Sequence, residues 1–233
     1  MTQIEGARVL VVGATGVLGT LLAERLADAG ARVAVHGRDD ARLAERARFG
    51  EPIAVDLTDE TAPEAIVERA MALLGGLDVI VLAAGVVGFD SVAETAEQDL
   101  ETLFTVNALA PMRIISVAAP ALRESAASGG EPVVLALTGI VADLPTAGLA
   151  SYSASKAALA AYLTAAGREL RRSGIRLLDA HPAHVETGLA ERPLFGSAPR
   201  FPRGLEPAAV ADRLVRAIVD GETALPPGAF AEG

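Results

Sequence analysis

Six short runs of aliphatic residues recur along the chain, and longer segments whose apolar residues have helical spacing lie between them. The runs are continuous rather than alternating, which is typical of strands buried on both faces of a sheet. Parallel strands need long crossover connections, and the intervening helices supply them. The pattern therefore predicts one α/β domain, residues 1–233, with helices on both faces of a doubly wound parallel sheet.

The order of strands and helices can be placed along the chain. The predicted strands are 7–13, 31–37, 52–56, 77–85, 132–139 and 174–182. Apolar residues at helical spacing follow the first strand, and Gly30 stands where a C′ glycine ends a helix. The other predicted helices are 39–48, 60–75, 93–126, 151–173 and 207–220. The segment 188–204 is rich in proline and glycine, and a loop of this length predicts a lid over a substrate.

Composition and charge argue against several classes of function. The formal net charge of −10 repels polyphosphate backbones, which disfavours a nucleic-acid partner. The chain has no cysteine, and its three histidines lack paired spacing, so neither a disulfide nor a metal site is expected. The first ten residues lack a signal-peptide pattern, and no 18-residue apolar stretch is free of charge. We therefore expect a soluble, cytoplasmic protein without a membrane span.

A glycine-rich turn, Gly13-Ala-Thr-Gly16-Val-Leu-Gly19, follows the first predicted strand and opens the first helix. Gly13 would permit a tight turn, Gly16 close approach of a ligand, and Gly19 close packing of helix on strand. Free N–H groups at a helix start are where the pyrophosphate of a dinucleotide binds. A purely structural turn is the alternative, and the position directly after the first strand favours the dinucleotide.

The end of the second predicted strand indicates which dinucleotide is preferred. An acidic residue there hydrogen-bonds the ribose 2′-hydroxyl, whereas an arginine accommodates a 2′-phosphate. The chain reads His36-Gly37-Arg38, and Asp39 falls inside the next predicted helix. Gly37 leaves room and Arg38 supplies charge, so NADP(H) is predicted over NAD(H), with a solvated Arg38 as the alternative. Asp56 either accepts from the adenine amino group or caps the next helix.

Tyr152 and Lys156 lie four residues apart on a predicted helix, so their side chains project from the same face. A lysine beside a tyrosine favours the phenolate and is predicted to lower the pKa of the phenol from about 10. Such a phenol can protonate an alkoxide during hydride addition, or take the proton back in the reverse reaction. An ordinary exposed helix face is the alternative.

Taken together, these segments resemble the short-chain dehydrogenase/reductase family over nearly the whole chain. The matching segments are GATGVLG after the first strand, LAAG (82–85) after the fourth, FTVNALAP around Asn107, and YSASK (152–156). The resemblance implies a Rossmann-like fold and an NAD(P)-dependent oxidoreductase that interconverts a carbonyl and a secondary alcohol. It also implies a homodimer or homotetramer paired through the helices near 100–126 and 151–173, unless their alanines pack only within one subunit.

The resemblance assigns roles to individual residues. Tyr152 is the implied acid/base, Lys156 lowers its pKa and holds the nicotinamide ribose, and Asn107 fixes a water in the proton relay. The segment after the sixth strand leads toward the nicotinamide carboxamide. The implied cofactor-binding residues are Gly13, Thr15, Gly16, Val17, Leu18, Gly19, Arg38, Asp56, Leu57, Ala84, Gly85, Tyr152, Lys156, Pro182, Val185 and Thr187.

The chain departs from the family pattern in three places. The glycine turn is spaced GxxGxxG rather than GxxxGxG, and LAAG replaces NNAG, so a side chain that braces the central strand is absent. The position of the family's catalytic serine is Gly139, which leaves the neighbouring Thr138 as the hydroxyl to hold a substrate carbonyl. The alternative is a Thr138 hydroxyl bonded to local backbone. If another donor serves, a serine introduced at position 139 is expected to be tolerated.

These residues favour an NADP(H)-dependent oxidoreductase for a small, apolar carbonyl substrate. Loop 188–204 carries leucines, two phenylalanines and three arginines, which suits an apolar body with an anionic end unless the arginines are simply solvated. The alternative function is a dinucleotide-binding sensor or scaffold with little turnover, which the glycine at 139 favours. The retained proton-relay residues argue against it, because binding alone does not require them.

Overall fold

Seven parallel strands form one sheet in the computed structural model, which describes residues 2–89 and 91–230. The strands lie in the order β3-β2-β1-β4-β5-β6-β7. Their bounds are β1 Arg8–Val12, β2 Arg32–Gly37, β3 Glu51–Ala54, β4 Val79–Leu82, β5 Val133–Leu137, β6 Arg176–Ala180 and β7 Ala224–Leu225. The central strands β1, β4 and β5 are aliphatic and buried, as their continuous apolar runs predict. The short β7 closes one edge.

Helices cover both faces of the sheet, which confirms the predicted doubly wound architecture. One face packs against α3, α5 and α6, and the other against α1, α2 and α7. The helices are α1 Val17–Asp28, α2 Asp40–Ala44, α3 Ala62–Leu74, α4 Glu97–Phe104, α5 Ala110–Ala127, α6 Ala150–Leu170 and α7 Pro207–Asp220. A π-helical turn, Thr105–Leu109, joins α4 to α5. Gly30, with a φ of +87°, follows the end of α1 as predicted.

The order of strands reverses at β1, which lies between β2 and β4. In an open α/β sheet a crevice forms at such a point, beyond the carboxyl ends of the strands. The segments after β1 and β4 therefore flank one crevice, and the segments after β5 and β6 lie along the same edge of the sheet. This edge carries every group described in the next subsection.

Two predicted helices differ from the observed ones. The predicted helix 39–48 shrinks to α2, because the chain turns back into β3 at Gly50, whose missing side chain lets it pass the Val33 carbonyl. The predicted helix 93–126 begins only at Glu97 and contains the π-helical turn. Pro111 has no N–H to bond the Asn107 carbonyl in a regular α-helix, which accounts for this irregular turn.

The helical stretch Glu97–Ala127 is long and apolar enough to cross a membrane, by length and composition alone. In the fold, 56% of its most apolar 18-residue window is buried. Ile114, Ile115 and Leu122 of α5 lie in the core beneath the sheet. Packing inside the protein therefore accounts for the hydropathy of this stretch.

Candidate active site

Backbone packing shapes the glycine turn after β1. Gly13 has a φ of +88°, and a Cβ atom there would lie 2.5 Å from the Ala84 nitrogen. A Cβ atom on Gly19 would overlap the Gly13 carbonyl group. Only glycine fits these positions, which bears out the tight turn and the close packing predicted for them. The turn is held directly against the segment after β4, at the crevice.

The start of α1 has the properties of an anion-binding end. Gly16 is the N-cap residue without a side-chain cap, and the first turn of the helix contains no acidic residue. The N–H groups of this turn have no acceptors within the helix, so they can donate to a phosphate. A Cβ atom on Gly16 would meet only the Gly13 oxygen, at 3.4 Å, so the space above this residue is open. Val17 beside it is 39% exposed.

The end of β2 lies next to the glycine turn. A Cβ atom on Gly37 would lie 2.6 Å from the Thr15 methyl group, so this glycine makes room for the turn itself. Arg38 follows it and is exposed. Arg42 of α2 donates to the Thr15 carbonyl oxygen at 3.0 Å, which brings a second guanidinium to the turn. The sequence analysis did not identify Arg42. A basic residue in the helix that follows β2 could have indicated a second guanidinium near the turn.

His36 ties the glycine turn to the sheet. Its Nε2 lies 3.0 Å from the Val55 carbonyl oxygen, and its Nδ1 lies 3.3 Å from the Gly13 nitrogen. A carbonyl can only accept and an N–H can only donate, so the ring proton belongs on Nε2. Burial lowers the pKa of the imidazole to about 4, which keeps the ring neutral at physiological pH.

The carboxylates after β2 and β3 make local hydrogen bonds. Asp39 is the N-cap of α2, where its Oδ1 accepts from the Arg42 N–H at 3.0 Å; the prediction that it lies inside the helix is wrong. Asp56 accepts from the N–H and the hydroxyl of Thr58, each at 2.9 Å. It therefore stabilises the turn after β3 and does not cap α3. The adjoining Leu57 is buried in the core.

Tyr152 stands near the start of α6 among apolar neighbours. It packs with a cluster formed by Val87, Phe89 and Leu149. This burial raises the pKa of the phenol to about 12. The predicted lowering of this pKa is therefore wrong for this arrangement, because the phenol loses hydration among its apolar neighbours.

Lys156 is the only lysine of the chain, and it is just 6% exposed. Its Nζ donates to the Leu137 carbonyl oxygen at 2.8 Å, at the end of β5. Gly85 after β4 lies next to it, since a Cβ atom there would be in van der Waals contact with Nζ, at 3.4 Å. Burial lowers the pKa of the ammonium to about 8, and the charge of Asp179 partly opposes that shift.

Asn107 lies in the π-helical turn and is fully buried. Its Oδ1 accepts from the Val86 N–H, and its Nδ2 donates to the Val86 carbonyl oxygen and to the Ser155 hydroxyl, at 2.9–3.0 Å. The amide thus joins the segment after β4 to α6, and both of its hydrogens are used. The backbone carbonyl oxygen of Asn107 has no regular helical donor, because Pro111 lacks an N–H group. This backbone oxygen, rather than the side-chain amide, can hold a water.

The Thr138 hydroxyl is engaged inside the fold. It is fully buried and donates to Oδ1 of Asp179 at 2.6 Å. The expectation that it holds a substrate carbonyl is therefore corrected, because its one proton is donated to the Asp179 carboxylate. The alternative, a hydroxyl bonded to local backbone, is also not what the structure has: the short hydrogen bond is to the Asp179 side chain, and the Ala180 carbonyl oxygen lies at 3.3 Å.

Gly139 adopts a conformation that other residues avoid. Its φ is +77° and its ψ is 164°, a region that is essentially restricted to glycine. Space is not the obstacle, because a Cβ atom there would lie 3.7 Å from its nearest neighbour, the Pro182 carbonyl oxygen. The expectation that a serine is tolerated here is wrong on conformational grounds.

A row of polar side chains, which we call the Asp–His–Asp row (Asp143, His181 and Asp179), links the segments after β5 and β6. His181 Nε2 lies 2.9 Å from Oδ2 of Asp179, and its Nδ1 lies 2.6 Å from Oδ2 of Asp143. These contacts, that with Asp179 first, raise the pKa of the imidazole. Sequence reasoning missed the row, because Asp143 and His181 lie 38 positions apart and no local pattern joins them.

The segment after β6 runs alongside the segment after β5. The Ile140 N–H donates to the Pro182 carbonyl oxygen at 3.0 Å. Val185 pairs with Leu205 in an isolated parallel bridge, and the Thr187 N–H donates to the Val185 oxygen at 2.7 Å. These bonds close the base of the loop 188–204 and hold its first residues at the edge that carries the glycine turn.

The loop 188–204 lies across the segment after β4. The Leu194 N–H donates to the Val87 oxygen at 2.8 Å, and the Phe89 N–H donates to the Phe195 oxygen at 3.1 Å. The Phe195 ring lies against Gly88, where any side chain would overlap it. The two segments therefore meet along a short ladder of backbone hydrogen bonds.

Two further contacts of this loop lie close to the catalytic candidates. Phe201 stacks on His184 with the ring centroids 4.8 Å apart. Leu189 and Ala190 pack in the apolar cluster that contains Tyr152. The loop thus supplies part of the apolar surroundings of the phenol.

The structure brings most of the candidate residues to one edge of the sheet. The glycine turn, Gly85, Asn107, Tyr152 and Lys156 all lie at the carboxyl ends of β1, β4 and β5 or on the helices packed there. Thr138 is the exception among the predicted catalytic residues. Among the described residues, 2–89 and 91–230, there is no group of acidic, histidine or cysteine side chains arranged to hold a metal ion.

Comparison with known proteins agrees with this geometry. A family model described as short chain dehydrogenase matches residues 7–193. The ketoacyl reductase HetN of Nostoc sp. is 28% identical over 231 residues, which cover 96% of this chain and 79% of the relative. An uncharacterized oxidoreductase of Staphylococcus saprophyticus is 27% identical over 219 residues, which cover 90% of this chain and 92% of the relative. The structure of a 3-ketoacyl-(acyl-carrier-protein) reductase from Brucella melitensis, complexed with NADH, superposes with a TM-score of 0.87 at 25% identity, covering 96% of this chain and 97% of the other.

Proposed function

The chain belongs to the short chain dehydrogenase family and is an NAD(P)-dependent oxidoreductase, and from this premise we propose that it uses NADP(H) to interconvert a carbonyl group and a secondary alcohol. The observation that carries the proposal is the placement of Tyr152 and Lys156 at the crevice that the glycine turn flanks. The proposed substrate is small and apolar, in keeping with the apolar cluster around the phenol.

The residues at the crevice fit a dinucleotide. The open space above Gly16 and the uncapped start of α1 suit the pyrophosphate. Gly85 leaves a cradle beside the Lys156 ammonium, which can donate to a ribose hydroxyl. The remaining assigned residues, namely Thr15, Val17, Leu18, Asp56, Leu57, Ala84, Pro182, Val185 and Thr187, follow the carboxyl ends of β1, β3, β4 and β6.

The proposed chemistry divides between the nicotinamide and the chain. When bound, the reduced nicotinamide supplies a hydride to the carbonyl carbon. Tyr152 donates its phenolic proton to the carbonyl oxygen, and Lys156 stabilises the resulting phenolate. A phenol whose pKa is about 12 keeps its proton at neutral pH, and it is still acidic enough to protonate an alkoxide. The Asn107 carbonyl oxygen holds the water that returns a proton to the site.

In the proposed reaction, Tyr152 is the one side chain that donates a hydrogen bond to the carbonyl oxygen of the substrate. Position 139 has no side chain, and the Thr138 hydroxyl is committed to Asp179. Loss of one oxyanion donor in other enzymes slows the reaction by about 10²–10³. We therefore expect slower reduction than a site with an additional hydroxyl would give, with the carbonyl held by Tyr152.

Arg38 tests the cofactor preference. It is exposed directly after β2, and no carboxylate occupies the end of that strand. Arg38→Ala should weaken NADPH binding about tenfold, the scale of one charged hydrogen bond, and change NADH binding less than about twofold. Fluorescence titration of both cofactors measures this, with Arg123→Ala, an exposed arginine on α5, as the matched control. Equal affinity of the parent protein for NADPH and NADH would overturn the preference.

The activity itself is tested by a panel of carbonyl compounds. NADPH consumption is followed by absorbance with aliphatic and aromatic ketones of increasing size, and then with the same ketones carrying a carboxylate. The proposal expects consumption with the apolar members of the panel, because leucine and alanine side chains of loop 188–204 pack beside the phenol. Tight NADPH binding without consumption by any member would contradict it.

The second candidate is a dinucleotide-binding protein with little turnover. The specific observation in its favour is Gly139, whose conformation excludes the hydroxyl that the family carries at this position. Against it stands the phenol of Tyr152 at the crevice, because a protein that only binds a dinucleotide does not require a proton donor there. The carbonyl panel distinguishes the two functions.

Assembly and location form part of the same proposal. We place the protein in the cytoplasm as a homodimer or homotetramer. Leu100 of α4 is 39% exposed and Leu109 of the π-helical turn is 51% exposed. On α6, Ala154 and Ala161 are also exposed. Small and apolar exposed residues on neighbouring helices favour contact between subunits.

A further inference from the structure

The ammonium of Lys156 is buried without a charged hydrogen-bond partner. Its Nζ donates to the Leu137 carbonyl oxygen, which is a neutral acceptor, and the residue is 6% exposed. A buried cation that has lost its hydration is maintained only if an opposite charge lies nearby. The proposed function needs this group in its charged form, so the source of the opposite charge matters.

The register of β5 and β6 places one carboxylate on the face of the sheet that carries this ammonium. Ala136 is the partner of Asp179 in the ladder, so the side chains of Asp179 and Thr138 project from the same face of the sheet. Ala136 lies in the core together with Leu159 of α6, so this is the face that α6 covers. The Asp179 carboxylate bonds Thr138 at 2.6 Å, and the ammonium bonds the carbonyl of the preceding residue.

We infer that Asp179 is a positioning residue that supplies the buried counter-charge of Lys156, and that the other two members of the Asp–His–Asp row hold its carboxylate in place. Its Oδ1 accepts from Thr138, and its Oδ2 faces His181 Nε2 at 2.9 Å. With both oxygens engaged, the carboxylate cannot turn toward solvent. The side chain of Asp179 is only 14% exposed, so its charge is weakly screened.

His181 and Asp143 form the outer part of this arrangement. The His181 side chain is 13% exposed, whereas that of Asp143 is 50% exposed and faces solvent. Asp143 holds His181 Nδ1 at 2.6 Å and so fixes the ring against Asp179. The negative charge that acts on Lys156 is therefore that of Asp179, and Asp143 acts mainly on His181.

The other described groups around the ammonium do not supply this charge. Tyr152 on the same helix is a neutral phenol at physiological pH. The segment after β4 contributes Gly85, and the π-helical turn contributes the amide of Asn107, which does not titrate. Asp179 on β6 is the carboxylate whose charge favours the ammonium and opposes the lowering of its pKa by burial.

The single lysine allows a direct test by NMR. In protein labelled with ¹³Cε-lysine, one side-chain signal reports the titration of Lys156. The midpoint is expected near 8 in the parent protein. Asp179→Asn keeps the size and the acceptor for Thr138 but removes the charge, and it should lower the midpoint by about one pH unit or more. Asp143→Asn, the same substitution at the outer carboxylate, is the matched control and should leave the midpoint nearly unchanged.

An Asp179→Asn midpoint equal to that of the parent protein would overturn the inference. So would an equal fall in both variants, since that would indicate a general loss of structure around His181. Circular dichroism establishes that each variant is folded. Asp179→Ser removes the same charge with less volume, and it takes the place of Asp179→Asn if the amide prevents folding.

The functional importance of this counter-charge rests on the proposed function, and the two can fail separately. The pH profile of kcat/KM for reduction is expected to have an alkaline limb, in which kcat/KM falls as Lys156 loses its proton. If Asp179 acts through Lys156, this limb should move to lower pH in Asp179→Asn, in parallel with the NMR midpoint. A merely structural role would lower kcat/KM at every pH without moving the limb, and that result would overturn the positioning role. Failure of the parent protein to reduce any carbonyl would overturn the proposed function while leaving the NMR result intact.

Discussion

The glycine turn after β1 and the Asp–His–Asp row after β5 and β6 lie at the same edge of the sheet, but different forces hold them. The turn consists of backbone in van der Waals contact with backbone: Gly13 meets Ala84, and Gly19 meets Gly13. The row holds two side chains largely removed from water, Asp179 and His181, with the half-exposed Asp143 at its outer end, and it lies next to the buried Lys156. The turn shapes a surface, whereas the row sets the charge of a reacting group.

This difference implies that the two regions respond differently to substitution. At Gly13 and Gly19 the backbone contacts are so close that adding one carbon atom destabilises the fold. Buried charges oppose stability because they lose hydration, so removing one can stabilise the fold while destroying activity. Stability and turnover are therefore expected to separate between the two regions, and the following substitutions test whether they do.

The largest expected effect on stability is at Gly19. Gly19→Ala places a methyl group on the Gly13 carbonyl, so the free energy of unfolding should fall by about 3 kcal/mol. Urea unfolding measures the loss. The control is Gly16→Ala, where a Cβ atom would meet only one oxygen at 3.4 Å and stability should be nearly unchanged. Equal stability of the two variants would contradict the account of the turn.

A smaller loss is expected at Gly139. Because its φ of +77° and ψ of 164° suit only glycine, Gly139→Ser should lower the free energy of unfolding by about 1–3 kcal/mol. Gly228→Ser is the control, since Gly228 has an ordinary φ and no neighbour within 4 Å of a Cβ atom. If Gly139→Ser is as stable as the control and reduces carbonyls faster, the backbone here adapts and the account of this segment is wrong.

The smallest expected change is a gain in stability at Lys156. Lys156→Met replaces a buried ammonium by an apolar chain of similar length and should raise the free energy of unfolding by about 1 kcal/mol at pH 7. Burial costs the ammonium more than the charge of Asp179 returns, and Asp179 keeps Thr138 and His181 as partners in the variant. The folded pKa of about 8 lies below the ordinary value of 10.5, so the ammonium opposes folding fully below pH 8. The advantage of the variant should therefore shrink as the pH rises from 8 to 10.5. A variant less stable than the parent protein across this range would show that the ammonium supports the fold.

The same contrast explains which features were predictable from sequence. The glycine turn and the parallel sheet follow from local sterics and continuous apolar runs, so both were predicted correctly, whereas the order of the strands in the sheet was not predicted. Arg42 contacts the turn from α2, a helix that was predicted to be longer than it is. The direction of the Thr138 hydroxyl depends on Asp179, 41 residues away, and no spacing rule joins them.

The pKa of Tyr152 shows the same limit. The spacing of Tyr152 and Lys156 indicates that they share a helix face, but it contains no information about burial. The apolar cluster around the phenol includes residues from the segments after β4 and β6, which only the fold brings together. Desolvation therefore raises a pKa that the local pattern alone predicts to fall.

The central claim, that turnover depends on Tyr152 while cofactor binding depends on the turn, is tested most directly by one measurement on Tyr152→Phe. NADPH binding is followed by fluorescence, and its oxidation by a good carbonyl substrate is then followed in a single turnover. The account predicts unchanged NADPH affinity, because the ring still packs in its apolar cluster, and a rate lower by about 10²–10⁴, the scale of one general acid. A Tyr152→Phe protein that oxidises NADPH at nearly the parent rate would contradict the account.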